Sequence, residues 1–219
     1  MSSIGGMIRH RRPRPDFSHE GRIVGPVAGI DEAGRGPWAG PVVAAAAILD
    51  RARIPRGLDD SKVLQAETRE RLFAELQGAA LIGVGAASVE EIERLNILQA
   101  TFLAMRRALA RLPIRPVHVL VDGNRVPDFG LPTEAVIDGD AKALSIAAAS
   151  IVAKVTRDRI MTRLGARHAA YGWERNMGYG TPEHRDALAA SGPCAHHRRG
   201  FAPIRRLIEE RGAHAISGS

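Results

Sequence analysis

Gly29-Ile30-Asp31-Glu32-Ala33-Gly34-Arg35-Gly36-Pro37-Trp38-Ala39-Gly40-Pro41 is the stretch on which the reading of this chain turns. An apolar, strand-like run from Ile23 to Ile30 ends in two carboxylates, and a glycine-dense turn carrying one arginine follows. Adjacent acids at the mouth of a turn repel each other unless a cation sits between them. Glycines let the backbone itself approach a ligand closely. Acids that hold a metal beside a backbone-exposing loop point to phosphate chemistry on a large anionic substrate.

Working outward, further strand-like runs rich in Val, Ile and Ala occur at Val42–Leu49, Ala79–Ala87 and Val117–Val121, with a weaker one at Glu134–Ile137. The first two strands flank the short turn and are expected to pair as an antiparallel hairpin. Helical spacing predicts helices over Ala66–Gln77, Val89–Arg111 and Ala143–His168, then Pro182–Ser191 and Pro203–Arg211. A hairpin followed by strand–helix alternation implies an α/β fold, a mixed sheet flanked by helices. Residues 1–22 carry Arg9, Arg11, Arg12 and Arg14 with prolines and no apolar segment, and read as a disordered basic arm rather than a secretory signal. Residues 212–219 read as a flexible tail.

Four acids fall where strands end. Asp31 and Glu32 close the first strand, Asp122 follows Val117–Val121, and Asp140 stands just before the long third helix. Ligands of mixed α/β sheets collect in crevices at strand ends, so acids distant in sequence can meet in one cleft. An all-oxygen donor set suits Mg²⁺ or Mn²⁺ rather than zinc. Neighbouring strand residues point to opposite faces. Either the strand breaks at Glu32, then, or Glu32 contributes its backbone oxygen. Other motif readings fail on spacing. Gly34, Gly36 and Gly40 are one residue too long for the dinucleotide fingerprint, and no lysine–hydroxyl pair follows the turn as a P-loop requires. Asp138-Gly139-Asp140 opens like a calcium loop, but Lys142, Ala143 and Ala149 stand where later ligands and glycine belong.

The 219 residues carry a formal charge of +7 and include 31 basic residues, of which only Lys62, Lys142 and Lys154 are lysines. Arginine forks match phosphate oxygens bidentately, so a polyanion is a plausible partner, although base composition of the genome also raises arginine. Cys194 is the single cysteine, which excludes a disulfide framework or thiolate metal cluster and fits a reducing cytoplasm. No run approaches the roughly 18 apolar residues of a membrane span.

These residues together resemble one family, the type 2 ribonucleases H known as ribonuclease HII. The likeness rests on Gly29-Ile-Asp-Glu-Ala-Gly-Arg-Gly-Pro37, Asp60-Ser61-Lys62, Val121-Asp122-Gly123 and Gly139-Asp140. It continues through Ala148–Met161, Gly178-Tyr-Gly-Thr-Pro-Glu-His184 and His197-Arg-Arg-Gly-Phe201, and covers roughly residues 23–207. The resemblance implies a ribonuclease H-like mixed five-stranded sheet over residues 23–170 and a helical, substrate-binding C-terminal extension over residues 171–211. It implies an endonuclease that hydrolyses RNA joined to DNA in a duplex, including cutting on the 5′ side of a single embedded ribonucleotide, with 3′-hydroxyl and 5′-phosphate ends. Ribonucleotide removal and primer processing would be its tasks. Asp31, Glu32, Asp122 and Asp140 would be the catalytic acids that bind two Mg²⁺ or Mn²⁺ ions. Gly34, Arg35 and Gly36 would read the ribose 2′-hydroxyl through the backbone, Ser61 and Lys62 would contact substrate, and Tyr179 would stack on the neighbouring deoxyribose. Substrates would be RNA–DNA hybrid and ribonucleotide-containing duplex DNA, met by a cytoplasmic monomer. Met177 and Gly200 depart from the family pattern, which often has lysine and serine there. Lys154, Arg157 and Asp158 carry no assigned role, and His184, His196 and His197 read as structural or exposed histidines. Two other classes remain open: a junction resolvase of the same fold group, indifferent to the 2′-hydroxyl, and a non-catalytic nucleic-acid-binding module.

Overall fold

The computed structural model describes residues 14–217. Five strands form one sheet: β1 (Val27–Ala33), β2 (Val42–Leu49), β3 (Ala80–Ala87), β4 (His118–Asp122) and β5 (Thr133–Val136). Their order is β3-β2-β1-β4-β5. The first three strands form an antiparallel meander, and β4 and β5 add in parallel beside β1. The hairpin and the mixed sheet follow the sequence expectation. Helices are α1 (Ala66–Ala79), α2 (Val89–Leu95), α3 (Ile97–Ala110), α4 (Leu144–Arg167), α5 (Trp173–Asn176), α6 (Pro182–Ser191) and α7 (Ala202–Ser217).

The period-2 alternation of β2 distributes its alanines between two cores. Ala44 and Ala46 face α3 through Ala100, Ala104, Met105 and Ala108. Ala45 and Ala47 face α4 and α1 through Ala147, Ala148, Ile151, Leu72 and Leu76. Small side chains on both partners draw the helices close to the sheet. One such close approach is at Gly29, where a β-carbon would overlap the carbonyl carbon of Ser145 and the amide of Ile146. Gly29→Ala is therefore expected to destabilise the fold by ~3 kcal/mol, seen as a lower urea midpoint at unchanged slope. An unshifted midpoint would mean that α4 can move away from β1 freely.

Three boundaries differ from the sequence reading. Gly25, at φ 118°, and Pro26 delay β1 to Val27, and the strand then runs through both acids to Ala33, paired to β2 as Asp31↔Ala45 and Glu32↔Ala44. The helix expected over Val89–Arg111 is two helices. Asn96, at φ 66°, ends α2, and its Oδ1 accepts from the amides of Leu98 and Gln99 to start α3. The last helix extends past Arg211 to Ser217. The basic arm expected over residues 1–22 lies outside the described residues as far as residue 13. Residues 14–22 are packed: Asp16 bridges to Ala143, and buried Glu20 accepts from the Ser145 amide at 2.7 Å, capping α4. Among the described residues no helix is long and apolar enough to cross a membrane.

Candidate active site

The two central parallel strands, β1 and β4, end side by side, and that junction gathers the acids. Asp31 sits on β1 opposite Ala45. Asp122 ends β4, and its Oδ1 accepts from the Gly139 amide at 2.7 Å. That bond draws in the 3₁₀ turn Gly139–Ala141, which carries Asp140. One carboxylate oxygen from each of Asp31, Asp122 and Asp140 lies within 4.8 Å of the others. Burial, then the charges of Glu32 and Asp122, push the Asp31 carboxyl well above its usual range. Burial also raises Asp140, against the pull of Lys62, whose Nζ stands 3.2 Å from Asp140 Oδ2. Three clustered carboxylates of which two resist ionisation form a site completed by a cation, and their hard oxygens fit Mg²⁺ or Mn²⁺.

Glu32 is outside this group of three. The strand does not break, so Glu32 projects to the opposite face from Asp31 and lines a hollow with Leu98, Thr101, Phe102 and Met105 of α3. Asp122, at the strand tip, and Glu32 itself line both that hollow and the one that holds Asp31. The Glu32 carboxylate takes Arg35 Nη1 at 3.3 Å, and burial raises its pKa against that pairing. Both acids of the pair thus border Asp122, from opposite sides of the sheet.

The hollow of about 250 Å³ on the α4 side is lined by Asp31, Glu32, Asp122, the Gly34–Gly36 turn, Ser61, Lys62 and Tyr179, with Asp140 outside its lining. Almost all of the expected site residues therefore meet there. Exposed Tyr179 stands against the turn, its Cε1 3.7 Å from where a β-carbon on Gly36 would be. Ser61 is buried and engaged, its hydroxyl 2.8 Å from Ser150 Oγ. Ser150 in turn hydrogen-bonds Asp31. Lys62 is largely exposed, and its ammonium is held above its ordinary range, since Asp140 and Asp60 outweigh partial burial.

Three residues shape this hollow that the sequence reading left without a role. Ser150 supports Asp31. Buried Arg157 donates to the carbonyls of Pro41, Met177 and Ala39 at 3.0, 3.1 and 3.2 Å. Buried Arg198 donates to Gly40, Arg35 and Gly34 carbonyls, the last at 2.6 Å. Burial brings the Arg198 pKa down to about 9. Gly34, at φ 98°, leaves no room for a β-carbon beside Arg157. The signal in sequence was register: Ile146, Ser150, Ala153, Arg157 and Met161 share one buried stripe of α4, and a charge in such a stripe needs partners.

Carboxylates gathered at the tips of adjacent central strands, on a mixed five-stranded sheet, define a metal-dependent nuclease of the ribonuclease H-like class. Residues 28–204 match the family described as Ribonuclease HII. A ribonuclease HII of Parvibaculum lavamentivorans is 58% identical over 211 residues, covering 93% of this chain and 78% of the relative. One of Paramagnetospirillum magneticum is 58% identical over 198 residues, covering 89% and 98%. The crystal structure of ribonuclease H2 from Pyrococcus horikoshii OT3 superposes with a TM-score of 0.70 at 31% identity, covering 84% of this chain and 98% of that one. The chain belongs to the ribonuclease HII family.

Proposed function

We propose that this endoribonuclease of RNA–DNA hybrids also cuts on the 5′ side of single ribonucleotides in duplex DNA, leaving 3′-hydroxyl and 5′-phosphate ends. Asp31, Glu32, Asp122 and Asp140 would hold two Mg²⁺ or Mn²⁺ ions, with Asp122, which borders both hollows, shared. Such a pair supplies a nucleophilic water and a stabilised leaving oxygen. Ser150 orients Asp31, and the Gly139 amide orients Asp122. The observation that carries the reading is the sharing of one hollow by Asp31, Glu32 and Asp122, the Gly34–Gly36 turn and Tyr179, with Asp140 within 4.8 Å of Asp31 and Asp122. The 2′-hydroxyl is the group that separates RNA from DNA at a given position. The Gly34 and Arg35 carbonyls each accept one bond from Arg198 and keep a second lone pair for it. Lys62 would move from Asp140 to a substrate phosphate, with Ser61 holding its turn in place. Residues 171–211 would extend the substrate path, and since one chain supplies every acid, a monomer suffices.

A gel assay on duplexes containing one ribonucleotide, a uniform hybrid strand or DNA alone tests this. Metal-dependent cutting immediately 5′ of the ribonucleotide, with the all-DNA duplex intact, is the expected pattern. Cleavage of the all-DNA duplex would indicate a resolvase instead. Tyr179→Ala is expected to lower single-ribonucleotide cutting by about tenfold, the loss of one stacking contact worth ~1–3 kcal/mol, and hybrid cutting less. Equal losses on both substrates would remove Tyr179 from junction sensing.

A further inference from the structure

Behind the exposed face of Tyr179 lies a buried ring cluster that the chemistry above does not use. His184 stands in the first turn of α6, and His197 in the loop before α7. Both are at most 1% exposed, among Tyr171 and Trp173. His184 Nε2 lies 3.0 Å from His197 Nε2, and Trp173 Nε1 donates to the same His184 nitrogen at 3.1 Å. The Cys194 amide donates to His197 Nδ1 at 3.0 Å, and His184 Nδ1 lies 2.9 Å from the Tyr179 carbonyl.

Donor chemistry settles where the protons are. An indole nitrogen and a backbone amide only donate. His197 must therefore accept at Nδ1 and carry its proton on Nε2. His184 must accept at Nε2, its one lone pair shared between Trp173 and His197, and carry its proton on Nδ1, where it donates to the Tyr179 carbonyl. Both rings are neutral in this arrangement. Burial works in the same direction: it depresses His184, and it brings His197 down to about 3.

His197 is followed directly by Arg198, whose guanidinium holds the Gly34 and Arg35 carbonyls. One dipeptide thus reaches both walls of the hollow, the glycine turn through Arg198 and the tyrosine through His197 and His184. We infer that His184 and His197 form a positioning relay that sets the Tyr179 ring against the Gly34–Gly36 backbone, and so governs discrimination between an isolated ribonucleotide and a continuous RNA strand. The relay rests on the reading of Tyr179 as a sensor of the neighbouring deoxyribose. Neither histidine touches substrate; both act through Tyr179.

Amide side chains separate the two nitrogens of each ring. Asparagine places its NH₂ near the imidazole Nδ1 position, and glutamine near Nε2. His184→Asn keeps a donor for the Tyr179 carbonyl, whereas His184→Gln loses it and keeps a group facing His197. The measurement is kcat/KM on a single-ribonucleotide duplex and on a uniform hybrid, with Tyr179→Ala in parallel. His184→Gln is expected to lower the ratio of the two by about tenfold, the worth of one buried hydrogen bond, and His184→Asn by no more than about twofold. Adding Tyr179→Ala to His184→Gln should change the ratio little further. Equal changes in the two His184 variants, or an unchanged ratio in His184→Gln, overturn the relay while Tyr179→Ala still reports on the tyrosine. An unchanged ratio in Tyr179→Ala itself overturns the tyrosine reading, a distinct outcome that removes the relay's purpose with it. Should His184→Gln fail to fold, nitrogen-15 NMR of the unaltered protein decides. Protons on His184 Nδ1 and His197 Nε2 support the relay, and a proton on His184 Nε2 leaves the Tyr179 carbonyl without its donor and overturns it.

Discussion

Asp31→Asn is expected to lower cleavage by about 10³-fold or more, while duplex binding changes little. The exchange keeps the oxygen that accepts from the Glu32 amide at 2.7 Å and preserves volume, so the fold has no reason to fail. What it removes is a negative charge at the point where three carboxylates converge. A bound divalent ion is worth several kcal/mol to phosphoryl-oxygen chemistry, and ~4 kcal/mol corresponds to about 10³ in rate. The charge also has a cost when no metal is present. Burial raises the Asp31 pKa in the folded state, and Glu32 and Asp122 raise it further. A carboxyl whose folded pKa exceeds its unfolded value contributes its stability below the unfolded pKa, near 4, and loses that contribution as pH rises through the folded value. At neutral pH without metal, Asp31→Asn should therefore melt no lower than the unaltered protein. Added Mn²⁺ or Mg²⁺ should raise the melting temperature of the unaltered protein and have much less effect on the variant. Near-normal cleavage by the variant in Mg²⁺ and Mn²⁺ would sink the assignment of Asp31 as a ligand.

The second large effect belongs to Arg198→Met. The substitution fills similar space but strips the donors from the carbonyls of Gly34, Arg35 and Gly40. Each buried acceptor left unpaired costs about 1–3 kcal/mol. Removing a cation that burial already disfavours offsets part of that sum. A net loss of ~3 kcal/mol is expected, a fall of roughly 6–12 °C in melting temperature for a chain of this size. Arg198→Lys should recover little, because one ammonium cannot replace a planar fork spanning separate carbonyls. The turn would be freed while the acids stay in place, so discrimination against all-DNA duplex should suffer more than hybrid cleavage. A melting temperature within about 2 °C of the unaltered protein would show that the turn holds itself.

Fold and site were unequally readable from the chain. Strand period and strand-end acids announced the sheet and located Asp31, Asp122 and Asp140, because alternation and capping are local properties. The helix expected over Val89–Arg111 was misread at Asn96, whose left-handed conformation interrupts an otherwise continuous apolar pattern. The strand's course through Asp31 and Glu32 was hidden for a different reason. Pairing with Ala45 and Ala44 of β2, a partner across the hairpin, outweighs the local repulsion of the two acids. Arg157 and Arg198 were opaque because their partners are backbone carbonyls, all but that of Met177 more than 100 residues away in sequence, and no side-chain motif records such bonds. The tautomers of His184 and His197 likewise depend on Trp173 and the Cys194 amide, which only tertiary structure brings together.

Arg198 stands 164 positions after Gly34 in sequence, yet it fastens the turn that begins there. During synthesis the sheet and the carboxylates emerge from the ribosome well before the residue that locks the Gly34–Gly36 turn. The Gly34–Gly36 turn is thus among the last parts of the site to be fixed.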